Sequence, residues 1–488
     1  MSLRPPDDQD IIVVGASGDL AARKLLPALY NLDAEGLLPG GCDVIGHAVA
    51  DWDDSAFLEH ARAAITEHSR TGLDAATFER FARRLHFVPV AAGLGALKRA
   101  CRRHRRLAYL AVPPSAFESL IEGFSSQGLA EGTSIIIEKP FGHDGASAAH
   151  LNTVLHQAFP EERIYRIDHY MGKETVQNLL VFRFGNSVFE RVWNRDCIQQ
   201  VEITVAEDLG VEARGKFYEE TGAIRDIVQN HIFQVLSFVA MEAPNGFDAE
   251  ALRSEKVKVL RSVHPIAPAN VVRGQYTAGR VGGEVVQGYR DEPGVDHAST
   301  TETYAALRLF LDSWRWAGVP FLIRTGKRMA RRETTVVISF RPVPLHLFRD
   351  TPAQLDHNRM IIRIQPDEGI DLTFTAKIPG PQVITQAVHM DFSYGDSFKT
   401  TPPEAYERLL HDALLGDHTL FISEAEVDRG WAVVDPVLRS PAPLTFYQAG
   451  SWGPAEAVDM AGPCDWHEME PDLPGEDAHP GQAAPATA

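Results

Sequence analysis

The segment DIIVVGASGDLAARKLLPALYNL, beginning at Asp10, does more than any other stretch to limit what this chain can become. It opens on a continuous apolar run, breaks at Gly15, and resumes with Leu20, Lys24, Leu25, Ala28, Leu29 and Leu32 at helical spacing. That pattern predicts strand, tight turn and helix. A second apolar run from Val44 to Val49, an amphipathic stretch from Phe57 to Ile65, the strand-like RLAYLAV before Pro113 and the β-branched SIIIEKP ending at Pro140 follow in turn. Strands alternating with helices predict a parallel sheet covered on both faces, so the first third should be a doubly wound, Rossmann-like α/β unit.

After about Asp168 the texture changes. IQQVEITVA, TTVVISFR, RMIIRIQP and DLTFTAKI alternate, or nearly alternate, apolar and polar residues, as strands buried on one side do. Helical patterns flank them from Glu219 to Met241 and from Pro403 to Leu415, so the second unit is expected to be α+β on an open, mainly antiparallel sheet. With 488 residues the chain exceeds the length at which one core stops growing, roughly 250 to 300 residues. The expected division is a dinucleotide-binding unit at 1–170 and a larger substrate-binding and oligomerisation unit at 171–465. A flexible tail at 466–488 completes it, where Pro, Ala, Gly and acidic residues dominate.

Lys and Arg number 47 against 66 Asp and Glu, a formal charge of −19, which repels phosphate backbones and anionic lipid surfaces. Nucleic-acid and membrane partners are disfavoured, and an anionic substrate would need a local cationic pocket set against the field. No apolar stretch approaches the ~20 residues of a membrane span. No leader of secretory type opens the chain, and Cys42, Cys101, Cys197 and Cys464 form no close pair. These features point to a cytoplasmic protein with reduced thiols. No His, Cys or carboxylate cluster has ligand spacing, so no metal is expected.

Gly15, Gly18 and Ala21 give G-x-x-G-x-x-A, small residues that let backbone amides and a helix N-terminus approach a pyrophosphate. Ser17 and Leu20 hold the other positions of G-x-G-x-x-G, so on these residues alone a turn needed only for packing is equally open. The longer string GASGDLAARKLLPALYNL resembles the opening of the glucose-6-phosphate dehydrogenase family, bacterial type. The resemblance continues through GLLP, LAVPP, EKPFG, RIDHYMGKE, VQNHIFQ, TETYAALRLFLDSWRWAGVPFLIRTGK and YQAGSWGP, from about Ile11 to Pro454. It implies an oxidoreductase that removes hydride from C1 of glucose 6-phosphate, leaving 6-phosphogluconolactone, with NADP or NAD as acceptor. That is the first step of the oxidative pentose phosphate pathway, and the family works as homodimers or homotetramers.

The resemblance assigns Gly15, Ala16, Ser17, Gly18, Asp19 and Leu20 to the cofactor turn. Many relatives place Arg just after the second strand to meet a 2′-phosphate; here Val49 stands there, and Ala22 replaces a frequent Lys. Asp51 could accept hydrogen bonds from an unphosphorylated ribose, or merely cap the next helix. A weakened preference for NADP, with NAD in use, is the expectation.

The reaction needs a base for the C1 hydroxyl proton, an anchor for the phosphate, and alignment of C1 with the nicotinamide. His231, in IRDIVQNHIFQ, is the candidate base, because imidazole titrates near about 6.5. On residues alone, a single His on an apolar helix is more often a hydrogen-bonded core group; the resemblance implies catalysis. Such a base needs a carboxylate on its other nitrogen, and Asp168 in RIDHY is the candidate, with a turn or helix cap as its alternative use. His169 and Lys173 would share a face if their segment is helical and could converge on one phosphate, with Tyr170 adding a hydroxyl. For an arbitrary pair a solvated face is the better account, and the RIDHYxGKE block makes this pair the anchor.

Lys139 closes a buried strand where it could reach cofactor and sugar together, and Pro140 leaves the isomer of their bond open. The resemblance gives sugar-hydroxyl contacts to Glu207 and Asp226, against a salt bridge from Asp226 to Arg225 or Arg214. It gives substrate contacts to Lys327 and to Arg332, where many relatives carry Lys and surface solvation is the competing account. Two other readings stand beside this one. An enzyme of the glucose-fructose oxidoreductase type also carries an EKP string but does not normally combine RIDHYMGKE with VQNHIFQ. A cofactor-binding regulator without activity would need a damaged site, and Asp168, His169, Lys173 and His231 are all present.

Overall fold

The computed structural model describes residues 6–345, 347–348, 357–398, 403–461 and 464–468. Six strands, β1 (Asp10–Val14), β2 (Val44–Ala48), β3 (Leu85–Pro89), β4 (Arg106–Leu110), β5 (Thr133–Ile137) and β6 (Ile164–Arg166), form one sheet in the order 3-2-1-4-5-6. Every neighbouring pair is parallel. β1, β2 and β4 are buried at every position, as strands covered on both faces must be. The strand order reverses between β1 and β4, which opens a crevice beyond their carboxyl ends. Gly15 closes β1 with φ +88, and a Cβ there would stand 2.2 Å from the Ala111 carbonyl oxygen, so the turn tolerates no side chain. The chain leaves it through a π-helical turn, Ala21–Leu25, into an α-helix, Leu26–Ala34.

Asp51 is exposed and does not cap the following helix. That role falls to Asp53, whose carboxylate accepts from the Ala56 amide at 2.9 Å at the start of Asp54–His68.

The second sheet has nine strands: β7 (Ile198–Ala206), β8 (Val271–Thr277), β11 (Tyr304–Leu309), β12 (Phe321–Gly326), β13 (Glu333–Phe340), β14 (Arg359–Gln365), β15 (Gly369–Lys377), β16 (Thr385–Ser393) and β17 (Leu444–Gln448). A short hairpin, β9 (Gly279–Val281) and β10 (Glu284–Val286), stands apart from it. The order is 16-15-14-13-7-12-11-8-17, parallel at β7–β12 and β8–β17 and antiparallel elsewhere, which matches the expected open, mainly antiparallel sheet.

The helix expected from Glu219 to Met241 is in three pieces. An α-helical segment, Gly215–Ala223, breaks inside at Gly222 with φ +67; Ile224–Ile232 is π-helical; Phe233–Ala240 is α-helical again. Glu302 causes the break. Its backbone carbonyl accepts from the Ala223 amide at 3.0 Å, its carboxylate accepts from the Ile224 amide at 3.3 Å, and a Cβ on Gly222 would lie 2.6 Å from that carboxylate.

Most of the stretch read as a flexible tail, residues 469–488, lies outside the described residues. Within its start, Trp466 Nε1 donates to the Ala457 carbonyl at 2.7 Å and the His467 amide donates to Glu202 at 2.8 Å. Among the described residues no helix is long and apolar enough to cross a membrane.

Candidate active site

His231 lies on the π-helical segment, almost fully buried, with Nδ1 2.5 Å from Asp168 Oδ1. A carboxylate only accepts, so the Nδ1 proton belongs to the imidazole and Nε2 keeps its lone pair. Asp168 makes both contacts foreseen for it, to the imidazole and as a cap, because Oδ1 also accepts the Tyr170 amide at 3.0 Å and caps the 3₁₀ turn His169–Gly172. The Tyr170 ring stacks on His231 at 4.3 Å, and His169 meets it edge-on at 4.6 Å. Burial holds His231 below the ordinary imidazole value against the pull of Asp168. The Asp168 carboxyl, which burial would raise, is held well below the carboxylate range by His231. Burial, with His231 next to it, also keeps His169 well below the imidazole value. Asp168, His169 and His231 bring donor atoms within 4.8 Å of one another, a set that sequence spacing does not announce; the imidazole–carboxylate hydrogen bond already engages two of its members.

The helix type decides what else faces the cleft. Asp226 and His231 are five residues apart, about 1.4 turns of an α-helix, but an i→i+5 hydrogen-bond pattern brings such residues onto one side. Both line the cleft, together with Asn230. Asp226 pairs with neither Arg225 nor Arg214. Lys139, just beyond β5, donates to its carboxylate at 2.8 Å and its carbonyl at 2.9 Å, while Arg225 turns to the His143 carbonyl at 2.9 Å. Burial would raise the Asp226 carboxyl, yet Lys139 and Lys327 bring it down to about 2. Lys139 in turn sits above its ordinary value, burial being outweighed by Asp226. The Lys139–Pro140 bond is cis.

At the other end Lys327 donates to Glu207 at 2.5 Å. Lys173 donates to Gln365 Oε1, and Arg332 reaches the same oxygen at 3.4 Å. Among the described residues neither Lys173 nor Arg332 has a carboxylate within ion-pair distance, so two cations meet on one neutral amide. Burial, and Arg332 beside it, lower the Lys173 ammonium to about 8. The shared-face helix expected for His169 and Lys173 is not how they converge. Lys173 follows the 3₁₀ turn in extended conformation and precedes the helix Glu174–Phe184, with its ammonium 4.4 Å above the Tyr170 ring. Gln365 escaped the sequence reading, as did Glu302, since nothing in RMIIRIQP or TETYAALRL singles out a polar residue at a strand end. Gln365 Nε2 donates to Thr334 Oγ1 at 2.9 Å, which itself lies 3.4 Å from the Tyr170 hydroxyl, so the amide ties the whole corner together.

These groups line one cleft of about 940 Å³: Lys139, His169, Tyr170, Lys173, Glu207, Asp226, His231, Lys327 and Arg332, with Asp19 and Leu20 from the dinucleotide turn. Gly15, Ala16, Ser17 and Gly18 form the turn that leads into it. Val49 does not line the cleft; it is 88% exposed beyond the end of β2. A dinucleotide fits this arrangement, because the side-chain-free Gly15 lies in the crevice between the ends of β1 and β4 and the first helix starts behind it.

A model of the glucose-6-phosphate dehydrogenase NAD binding domain matches residues 12–178, and one of the glucose-6-phosphate dehydrogenase C-terminal domain matches residues 180–467. The chain belongs to the glucose-6-phosphate dehydrogenase family. Within it, the chain is 43% identical over 473 residues to glucose-6-phosphate 1-dehydrogenase 2 of Mycobacterium tuberculosis (strain CDC 1551 / Oshkosh), covering 92% of each chain. To glucose-6-phosphate 1-dehydrogenase of Rhizobium meliloti it is 42% identical over 476 residues, covering 93% of this chain and 96% of the relative. The solved glucose-6-phosphate 1-dehydrogenase of Mycobacterium avium superposes with a TM-score of 0.85 at 38% identity, over 97% of this chain and all of that one. A glucose-6-phosphate dehydrogenase solved with its substrate glucose-6-phosphate gives 0.87 at 34% identity, over 96% of this chain.

Proposed function

We propose that this protein oxidises glucose 6-phosphate at C1 to 6-phosphogluconolactone and passes the hydride to NADP or NAD. The observation that carries the reading is the sharing of one cleft by His231, held by Asp168, and by two cations, Lys173 and Arg332, that among the described residues have no carboxylate within ion-pair distance. His231 Nε2 takes the proton of the C1 hydroxyl, and Asp168 stabilises the imidazolium that forms. Lys173 and Arg332 hold the phosphate, with His169 and Tyr170 beside them. Glu207, Asp226, Lys139 and Lys327 orient the sugar hydroxyls, the carboxylates accepting and the ammoniums donating. Gly15 to Leu20 hold the dinucleotide, which when bound supplies the hydride acceptor. As O1 loses its proton and C1 its hydride, the O1–C1 bond becomes the lactone carbonyl.

Initial rates followed at the absorbance of the reduced nicotinamide test the reading, with glucose 6-phosphate expected to outrun glucose by orders of magnitude. Equal rates would favour a sugar oxidoreductase of the glucose-fructose type, and no reduction at all would sink the proposal. The same assay addresses the cofactor. Val49 and Asp51 follow β2 with no cation between them, which supports a weakened preference for NADP; a large NADP advantage would overturn that part.

A second copy of the chain is the expected partner. β15 and β16 are half-buried to exposed along most of their length, and Met390 is 61% exposed, an apolar face that self-association would cover. Light scattering should report a dimer or tetramer; a monomer at micromolar concentration would refute it. The lack of a membrane-spanning helix among the described residues and the four free thiols support a cytoplasmic place of work, which fractionation of the source cells would test.

A further inference from the structure

Pro403 to Tyr406 line the cleft between the dinucleotide turn and the sugar end. Glu404 Oε2 accepts from Lys24 Nζ at 2.9 Å, on the π-helical turn just after Leu20. Ala405 packs so tightly on Gly172, behind the phosphate anchor, that a Cβ on Gly172 would stand 2.6 Å from its carbonyl oxygen. Tyr406 makes two contacts of its own. Its ring runs parallel to the His169 imidazole, 7° apart with centroids at 6.4 Å, and its hydroxyl donates to Glu138 Oε1 at 3.1 Å. The same oxygen accepts the Tyr109 hydroxyl at 2.5 Å. Glu138 immediately precedes Lys139. Just past β5, therefore, two successive side chains diverge, a carboxylate toward two phenols and an ammonium toward Asp226.

We infer that Tyr406 is a positioning residue: its hydroxyl clamps Glu138 and thereby fixes the strand end that presents Lys139 to the sugar, while its ring backs His169. The inference rests on the functional reading above. An ammonium on a four-carbon stem is a mobile donor, so its precision depends on how firmly its backbone is held. The groups facing Glu138 are Tyr109 from β4, Tyr406 from the helix Ala405–Leu415, Lys139 beside it, and Asp168 from the turn after β6. Burial pushes the Glu138 carboxyl above its ordinary range, and the two phenols, which donate to its charged form, oppose the rise. Losing one phenol raises it further. With ionised Glu138 as the working form, the acid limb of turnover then moves to higher pH.

The test is steady-state kinetics across pH on the full-length protein and on Tyr406→Phe, Glu138→Gln and their double variant. Tyr406→Phe should lose about tenfold or more in kcat/KM and show the acid limb of kcat displaced upward. The double variant should be no worse than Glu138→Gln alone, because the hydroxyl acts through the carboxylate. Wild-type constants with an unmoved pH profile in Tyr406→Phe, or penalties that simply add, would overturn the inference. An unmodified protein inactive toward glucose 6-phosphate would instead defeat the functional reading before the variants are compared. Should circular dichroism find Tyr406→Phe unfolded, Tyr109→Phe removes the other donor to the same oxygen and carries the same expectations.

Discussion

His231 and Asp168 form a buried hydrogen-bonded pair at the cleft, and each is of little chemical use without the other. Replacing His231 by Asn should lower kcat by about 10² to 10⁴-fold, the usual worth of a positioned base, and leave KM for glucose 6-phosphate within a few-fold. Single-turnover measurements separate the two constants, and near-normal turnover would remove His231 from the mechanism. Lys173 makes a prediction of opposite character. Its ammonium is lowered to about 8 by burial and by Arg332, so it is charged below that pH and loses its proton as the pH rises through it. kcat/KM reports groups of the free enzyme, so it should fall above about pH 8 while kcat, measured with the phosphate already bound, holds. A kcat/KM that stays flat through that range would show that Lys173 does not anchor the phosphate. The sequence displayed these residues through the resemblance, since a lone His on an apolar helix and a His–Lys pair each have commoner uses. It did not display Gln365 or Glu302, whose importance lies in which backbone and side chains they meet across the sheet.

The π-helical segment Ile224–Ile232 is the element on which the site turns. Apolar periodicity marks a helix there but does not separate i→i+4 from i→i+5 pairing over so few turns, so a spacing of five does not by itself put Asp226 and His231 on one side. The break that starts the segment is set by Gly222 and Glu302, residues eighty apart in number terms that no local pattern connects, Glu302 being held by Arg273 at 2.9 Å. Gly222→Ala forces a side chain into a left-handed conformation and against that carboxylate. It should cost about 1–3 kcal/mol in stability, read by chemical denaturation. The loss of kcat should exceed what that destabilisation explains, because Asp226 and His231 would leave their shared side. A variant that is destabilised yet fully active would separate the helix register from the chemistry.

Across the whole molecule the legible part was the architecture of alternation. β1 and β2 were visible as apolar runs, β4 and β5 as strand-like and β-branched stretches, and β7, β13, β14 and β15 as alternating or nearly alternating ones. Less visible were β6, whose three residues are too few for a period, and β17, which joins the second sheet beside β8 from far along the chain. Global charge was equally plain, and it has an outcome in solution. Lys173 and Arg332 lean on an amide and among the described residues form no ion pair that an arriving dianion must break; it must, however, first approach a body of charge −19. Added salt with a Debye length of about 10 Å at 0.1 M screens the distant repulsion before it weakens the short contacts inside the cleft. The apparent second-order rate for glucose 6-phosphate should therefore rise with dilute sodium chloride and then decline. Sulfate, a competing dianion for the two cations, should produce only the decline.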